Sequence, residues 1–309
     1  MTPIVFLIFN RPDCTARVFA EIRKARPRQL LVVADGPRMG HATDEANCAH
    51  TRRIIDECVD WPCEVLRNYS AKNLGCAERV ASGLNWAFSL MEEVIVIEDD
   101  CLPDPTFFGF CEELLARYRY DSRIGQICGT PFILEKLERD TGYIFSRYGP
   151  IWGWASWRRA WRSYDLRLND WPALRSRGEL ASVIHNRGEL RWRTRLYDSL
   201  HAGPPGTWDY QWGYAKITQS MLSVIPCQNL ISNIGFGSDA THPTKNDGGI
   251  PLRSVRLPLS HPKWVLPDAA FDAVFSKRCS SSILSEFRGK LGRAKQLLLD
   301  AVRPDLNAS

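Results

Sequence analysis

The stretch EEVIVIEDDCLPDPTFF, residues 92–108, decides how the rest of the sequence is interpreted. Its apolar residues 94–97 run directly into three acids, Glu98, Asp99 and Asp100. A buried strand that delivers carboxylates to a sheet edge favours a site for Mg²⁺ or Mn²⁺, whose open coordination positions accept phosphate oxygens. The alternative is that these acids cap the following turn or pair with arginines at the surface.

Three further apolar segments predict strands that alternate with helices in the first part of the chain. The strands are PIVFLIFN, QLLVVADG and CEVLRN, and the helical segments are residues 11–25, 43–58 and 75–91. Asn10 or Asp13 is the expected cap of the first helix. Strands that are apolar throughout and alternate with helices predict an α/β fold, with a mostly parallel sheet covered on both faces.

Each predicted strand ends in polar residues. Asn10 and Arg11 follow the first strand, Asp35 the second, and Arg67 and Asn68 end the third. Ligands of parallel sheets bind at the carboxyl ends of strands, so a site shared by several strand ends is expected. The first turn lacks the G-x-G-x-x-G fingerprint and the chain lacks a Walker A loop, which disfavours NAD, FAD and P-loop chemistry.

The E-D-D motif and the CLPDPTFFGF after it resemble the metal motif of GT-A fold glycosyltransferases. The resemblance is closest to inverting N-acetylglucosaminyltransferases of the complex N-glycan type and to related bacterial sugar-nucleotide transferases. It covers roughly residues 3–245, and further motifs follow in family order: FLIFNRP, VVADGP, AKNLGCAERVASGLNWAF, GPIWGWASW, WDYQW and SDATHP. It implies a Rossmann-like, mostly parallel sheet and a nucleotide diphosphate sugar as donor, in the first place a UDP-sugar.

The resemblance also implies the metal ligands. Asp100 would bind Mn²⁺ or Mg²⁺ directly, and Glu98 and Asp99 would hold ligand waters, the ribose or the donor sugar, with Glu98 a further candidate ligand. His242 would complete the metal shell or touch the diphosphate. The alternative for His242 is a solvated loop histidine before a proline.

Asp209, in GTWDYQWGYAKI, is the candidate general base. A carboxylate between aromatic residues loses solvation and gains basicity, which suits proton abstraction from a sugar hydroxyl. The alternative is an N-cap for the helix that runs toward Gln219, and capping is compatible with catalysis. A base on the face opposite the leaving group implies inversion at the anomeric carbon.

Five residues at strand ends and loops are candidate nucleotide contacts. Asn10 and Arg11 lie in the first loop, where positive charge meets phosphate, and Asp35 is placed to accept from a pyrimidine N–H. An ordinary Asp-Gly-Pro turn is the alternative for Asp35. Lys72 and Asn73 precede a predicted helix N-terminus, where phosphate contact is favourable, although simple surface exposure is the alternative.

The tryptophan-rich segment GPIWGWASW resembles the family's loop that frames the donor sugar and the acceptor. Trp152 and Gly153 are therefore predicted to belong to the site. Trp154, Trp157 and Trp161 have the i, i+3, i+7 spacing of a buried helix face, and Trp157 and Trp161 are assigned to packing.

Composition excludes several other classes. The ten cysteines form no C-x-x-C pair or zinc pattern, so free thiols in a reduced, cytoplasmic protein are expected. The apolar run 4–9 is too short for a signal peptide, and no run approaches the roughly 18–20 residues of a membrane span. The formal charge of +5 is spread along the chain and predicts no nucleic-acid partner. Residues 283–302 form a basic amphipathic pattern that suits peripheral contact with the inner face of a membrane, a partner subunit or the chain's own domain.

The sequence thus predicts a metal-dependent, inverting glycosyltransferase acting on a glycan, glycolipid or glycoprotein hydroxyl. Residues 1–122 would form the sugar-nucleotide-binding half, 123–250 the acceptor-binding and catalytic half, and 251–309 a C-terminal extension. A catalytically inactive sugar-nucleotide or glycan-binding relative is one alternative. A sugar-1-phosphate nucleotidyltransferase is weaker, because FLIFNRPDC has no glycine-rich phosphate loop.

Overall fold

The computed structural model describes residues 1–133, 140–235 and 251–278. Its strands are β1 (Ile4–Ile8), β2 (Gln29–Ala34), β3 (Glu64–Tyr69), β4 (Glu93–Glu98), β5 (Cys101–Pro103), β6 (Ile124–Cys128), β7 (Tyr143–Ser146), β8 (Trp154–Trp157), β9 (Leu222–Pro226) and β10 (Ile231–Asn233). Its helices are α1 (Pro12–Ala25), α2 (Asp44–Cys58), α3 (Cys76–Leu90), α4 (Thr106–Tyr118), α5 (Arg158–Trp161), α6 (Trp171–Arg177), α7 (Arg187–Ala202) and α8 (Asp209–Thr218), with a 3₁₀ turn at Glu179–Ser182. Residues 269–278 are also helical.

The predicted α/β class is confirmed, with a mostly parallel central sheet flanked by helices. The first four strands pair in parallel in the order β3-β2-β1-β4, so their carboxyl ends share one edge. Alternate residues of β1 face the two cores: Phe6 packs with Val18 of α1, and Val5 packs with Leu84 of α3. Burial on both faces explains why these strands are apolar throughout.

The second half of the sheet continues in the order β8-β6-β9-β7. Strand β8 is antiparallel to β4 and to β6, β9 is parallel to β6, and β7 is antiparallel to β9. Val96 pairs with Trp154, so the start of β8 lies beside the end of β4. A small sheet of β10 and β5 holds the chain that follows the three acids.

The helical spacing predicted for Trp154, Trp157 and Trp161 was wrong for the first two residues. Trp154 and Trp157 belong to strand β8, where residues three apart point to opposite faces, and each packs in a different core. Trp161 lies in the short helix α5. The assignment of Trp157 and Trp161 to packing is confirmed, because both are buried.

The predicted cap of the first helix was also wrong. Helix α1 begins at Pro12 after Arg11, and no side chain caps it. Proline at the first helical position needs no N–H partner and already has the helical φ, which explains the start without a cap.

The cysteines within the described part of the chain are free thiols, as expected. No helix there combines the length and the apolar character that crossing a membrane requires. The predicted amphipathic segment 283–302 lies outside the described residues.

Candidate active site

The carboxyl ends of β1 and β4 bring several predicted residues together. The backbone N–H of Phe9 donates to Asp99 Oδ2 at 3.0 Å, and Arg11 Nη1 donates to Asp100 Oδ2 at 2.8 Å. These contacts follow from the parallel register, which places residues after Ile8 beside residues after Glu98. The four carboxylates of Glu98, Asp99, Asp100 and Asp209 are called the acid edge below.

The acid edge carries more negative charge than its surroundings compensate. Glu98 Oε1 is buried and has no hydrogen-bond partner in the described structure. Burial, followed by Asp100, Asp99 and Asp209 in decreasing order, raises the pKa of Glu98 well above its usual range. Burial and then Asp100 raise the pKa of Asp99 to about 7, against the opposing effects of Arg11 and the Phe9 N–H. Carboxylates whose pKa values are raised by neighbouring acids are stabilised by binding a proton or a cation.

The described residues fit a divalent cation with few protein ligands. Within residues 1–133, 140–235 and 251–278, no group of three or more His, Cys, Asp or Glu side chains is arranged to hold a metal ion. Mg²⁺ and similar hard cations are, however, usually bound through one or two carboxylates together with substrate phosphates and waters. The unpartnered oxygen of Glu98 and the exposed side of Asp100 offer oxygen ligands of this kind.

Gly235 closes one side of the acid edge. The preceding residue, Ile234, donates its N–H to the Asp100 carbonyl at 2.7 Å. A Cβ on Gly235 would lie 2.7 Å from Arg11 Nη1 and would also collide with the Asp100 carboxylate. This glycine was not predicted, and its only sequence signal is its place just before SDATHP. His242 lies outside the described residues.

Asp35 and Asn73 are joined to each other. The Asp35 carboxylate accepts hydrogen bonds from the N–H groups of Gly36, Leu74 and Gly75 and from Asn73 Nδ2, at 2.9–3.1 Å. These four donors order the loop that leads into α3. The backbone of Lys72 passes so close to Gly36 that a Cβ there would lie 2.5 Å from it, which requires glycine. The Lys72 side chain is exposed.

Asn10 points toward α2 and away from the acid edge. Its Nδ2 donates to Asp44 Oδ1 at 2.8 Å, and the same carboxylate receives Arg38 Nε at 2.7 Å. The hydrogen bonds from Arg38 and then Asn10, acting against burial, hold the pKa of Asp44 well below its usual range. Arg38 also lies over the Phe9 ring, 5.5 Å from its centre. Arg38 was not among the residues predicted for the site.

Asp209 begins α8 and lies close to Glu98. The residue at the cap position is Trp208, so the Asp209 side chain does not act as the helix cap. The Thr207 hydroxyl donates to Asp209 Oδ1. Asp209 contributes to the raised pKa values of Glu98, Cys76 and Tyr164, which places these side chains around it.

Cys76 and Tyr164 were not predicted. The Cys76 residue is exposed, yet burial of its thiol by the surrounding protein, followed by Glu98 and Asp209, raises its pKa to about 12. This combination is typical of a side chain inside an open cleft. Tyr164 stacks on Trp161 at 4.1 Å and donates to the Trp208 carbonyl at 3.2 Å. A cysteine just after KNLG was the only sequence signal for this part of the cleft.

Trp152 and Gly153 lie at the same sheet edge as Glu98, because they precede β8. Gly153 has φ +53° and accepts the Gly129 N–H at 2.7 Å, and the space a Cβ would need is filled by Ile231. Trp152 meets Phe132 edge-on, with ring centres 4.6 Å apart. The structure therefore places both residues beside the acid edge, with Trp152 half-buried.

No protein-family model and no curated protein matches the sequence. Solved structures with some similarity include a mannosyltransferase, PcManGT from Pyrobaculum calidifontis in complex with GDP-Man and Mn²⁺, at 14% identity and TM-score 0.39, covering 70% of this chain and 69% of that one. The galactosyltransferase LgtC, in complex with donor and acceptor sugar analogues, has 13% identity and TM-score 0.32 over 53% of this chain and 60% of that one. The catalytic domain of Drosophila β1,4-galactosyltransferase 7, in complex with xylobiose, has 11% identity and TM-score 0.28 over 53% of this chain and 52% of that one. At these values the similarity assigns no activity to this chain.

Proposed function

We propose that this protein is a metal-dependent, inverting glycosyltransferase of the GT-A type. It would transfer a hexosyl or N-acetylhexosaminyl group, from a UDP-sugar in the first place, to a hydroxyl of a glycan, glycolipid or glycoprotein. The observation that carries the proposal is the acid edge itself, where three consecutive acids at the end of β4 meet Asp209 from the start of α8. An arrangement with so much uncompensated carboxylate is a functional-site candidate rather than a stabilising feature.

The leaving group would be held between a cation and Arg11. Asp100 and Glu98, with His242 as a further candidate, would hold Mn²⁺ or Mg²⁺, which when bound stabilises the negative charge of a departing diphosphate. Arg11, now 2.8 Å from Asp100, would be released from that carboxylate and would contact phosphate oxygens. Asp99, fixed by the Phe9 N–H, would keep the ribose or the donor sugar in place.

The acceptor side would be formed by Asp209 and its neighbours. Asp209 would take the proton of the acceptor hydroxyl, and the Thr207 hydroxyl would fix the orientation of its carboxylate. Trp152 and Gly153 would frame the donor sugar, with Asp35, Lys72, Asn73 and Asn10 on the nucleotide side. The proposed division is residues 1–122 for the nucleotide, 123–250 for the acceptor and catalysis, and 251–309 as an extension.

A catalytically inactive sugar-nucleotide-binding relative is the second candidate. The contact of Arg11 with Asp100 favours it, because this ion pair occupies the carboxylate that the enzyme would offer to the metal. Such a protein would bind the donor without transferring its sugar.

The test is release of nucleoside diphosphate from a panel of UDP-, GDP- and dTDP-sugars with Mn²⁺, with donor binding measured by calorimetry in the same samples. Asp209→Asn is expected to keep donor binding and to lose roughly 10²–10⁴-fold in rate. Asp100→Ala is expected to lose the response to Mn²⁺. Asp60→Asn, at an exposed pair with Arg23, is the matched control and should behave as wild type.

The outcomes separate the candidates. Donor binding without turnover in the wild type, with simple sugars supplied as acceptors, would establish the binding protein. If no sugar nucleotide binds with or without Mn²⁺, the acid edge is not a donor site and both candidates are wrong.

A further inference from the structure

A cavity of about 1020 Å³ lies at the opposite edge of the central sheet from the acid edge. Its lining includes Arg147, which follows Ser146, the last residue of β7. Strand β7 is antiparallel to β9, and the pairings through β6 and β8 show that β7 is also antiparallel to β4. The last residues of β7 therefore lie on the side of the sheet where β4 begins. The cavity is therefore separate from the proposed transfer site.

The body of the cavity is apolar. It lies between α7 and the helical residues 269–278, and its wall includes Val183, Ile184, Trp192, Leu196, Pro267 and Ala273. The volume is at the upper end of the range of roughly 300–1,000 Å³ found for small-molecule sites. A lining of this kind suits a hydrocarbon chain better than a sugar, which needs many neutral polar partners.

Two arginines at the mouth of the cavity carry uncompensated charge. Arg191 and Arg195 are four residues apart on α7, so they project from one side of the helix, and both are exposed. Neither forms an ion pair or a side-chain hydrogen bond with any part of the chain that the structure describes. Like charges at this spacing repel each other, and an anion between them would remove that repulsion.

The acids in the same wall are already engaged. Glu189 receives Arg193 Nε at 2.8 Å and the Tyr148 hydroxyl at 2.5 Å. Asp272 receives the Ser146 hydroxyl at 2.6 Å. The cations at the mouth are therefore not neutralised from within the cavity. In addition, the buried Nε1 of Trp192 meets no acceptor in the described structure, and an anionic ligand would offer acceptor oxygens.

We propose that this cavity binds an anionic amphiphile, a long-chain phosphate, with the phosphate held by Arg191 and Arg195 and the chain lying between α7 and residues 269–278. Charge-assisted hydrogen bonds from two guanidinium groups would fix the head, and burial of the chain against Ile184 and Leu196 would supply the remaining affinity. Exposed Leu266, immediately before the lining residue Pro267, extends the apolar surface out of the cavity. The proposal does not depend on glycosyltransferase activity.

The test is calorimetric titration of the full chain with dodecyl phosphate below its micelle concentration. We expect one saturable site per chain, and weakening by roughly tenfold or more in R191Q/R195Q, because each lost charge-assisted hydrogen bond has an effect of that order. R28Q/R53Q removes two exposed arginines elsewhere and is the matched control, which should bind as wild type. A273W, which fills the cavity from an exposed helical position, should abolish binding while the circular dichroism spectrum stays unchanged.

Two further probes separate the contribution of the phosphate group to binding from that of the hydrocarbon chain. Inorganic phosphate and the neutral dodecyl maltoside should each bind at least roughly tenfold more weakly than dodecyl phosphate. Equal binding of the maltoside would show a merely apolar groove, and unchanged affinity in R191Q/R195Q or A273W would place the ligand elsewhere. Either result overturns the proposal, whereas sugar-nucleotide binding at the acid edge is measured separately.

Discussion

Two glutamates, the half-buried Glu98 and the buried Glu189, show how differently one residue type is used in this protein. Although burial acts to raise it, Arg193 and the hydrogen bonds of Tyr148 and Arg193 bring the pKa of Glu189 below its usual range. Glu98 has a buried oxygen that meets no hydrogen-bond partner among the described residues, and burial and three neighbouring acids raise its pKa. Glu189 belongs to a compensated pair within α7, and the Tyr148 hydroxyl connects that pair to the chain after β7. Glu98 belongs to a site that favours a ligand at the expense of stability.

The largest expected effect comes from breaking the compensated pair. Glu189→Gln leaves the Arg193 guanidinium, 6% exposed, without a carboxylate, and the free energy of unfolding should fall by about 3–5 kcal/mol. Urea unfolding measures this change. Glu93→Gln, at a pair with Arg119 near the surface, is the control. Its free energy of unfolding should fall by less than about 1 kcal/mol. Equal losses in the two variants would show that burial does not distinguish these pairs.

Removing a carboxylate from the acid edge should instead raise the free energy of unfolding. The pKa of Asp99 rises from 3.8 to about 7 in the folded protein, so the folded state binds a proton that the unfolded state has lost between these values. Stability therefore falls as pH rises through this window. Asp99→Asn removes the effect and can still accept from the Phe9 N–H.

In EDTA, the unfolding free energy of Asp99→Asn should match wild type near pH 4 and exceed it by about 4 kcal/mol at pH 8. Urea unfolding at both pH values checks this. Asp56→Asn, at an exposed pair with Arg67, should show no such gain. A variant that is less stable than wild type at pH 8 would mean that Asp99 is a compensated charge like Glu189.

The parallel half of the sheet was predictable from the sequence because its strands are buried on both faces. Segments such as PIVFLIFN need no information beyond their own apolar run, and the polar residues after them fall at one edge by topology. Pairing of the acids with arginines was the stated alternative, but Arg11 was not identified as the partner of Asp100, although both residues were selected. Which opposite charges pair depends on the spacing between strand ends, and that spacing is a tertiary property.

The misassigned tryptophans have a different physical cause. The i, i+3 spacing of Trp154 and Trp157 fits a helix, but in this fold each side chain enters a separate core on opposite faces of β8. A prediction from periodicity assumes that the apolar residues share one buried face of the element, whereas a central strand is buried on both faces. Likewise Gly235 was not selected, because its contacts with Arg11 and Asp100 arise only when distant segments meet. Thr207 was not selected either, although it lies two residues before Asp209 and its hydroxyl donates to that carboxylate.

Lys216 is a third kind of buried charge, a cation that pairs with no acid in the part of the chain that the structure describes. It is 1% exposed, and its ammonium group donates to Ser223 Oγ at 2.9 Å and to Gln126. Burial lowers its pKa from 10.5 to about 8, so between these values the unfolded chain binds a proton that the folded chain does not. Stability from this group rises with pH through the window and is lost as pH falls through 8.

Relative to Lys216→Met, wild type should gain about 2 kcal/mol between pH 8 and pH 10.5, measured by urea unfolding. Lys24→Met, at an exposed lysine, should show no such gain, and a flat difference for Lys216→Met would mean that Gln126 and Ser223 compensate the buried charge fully.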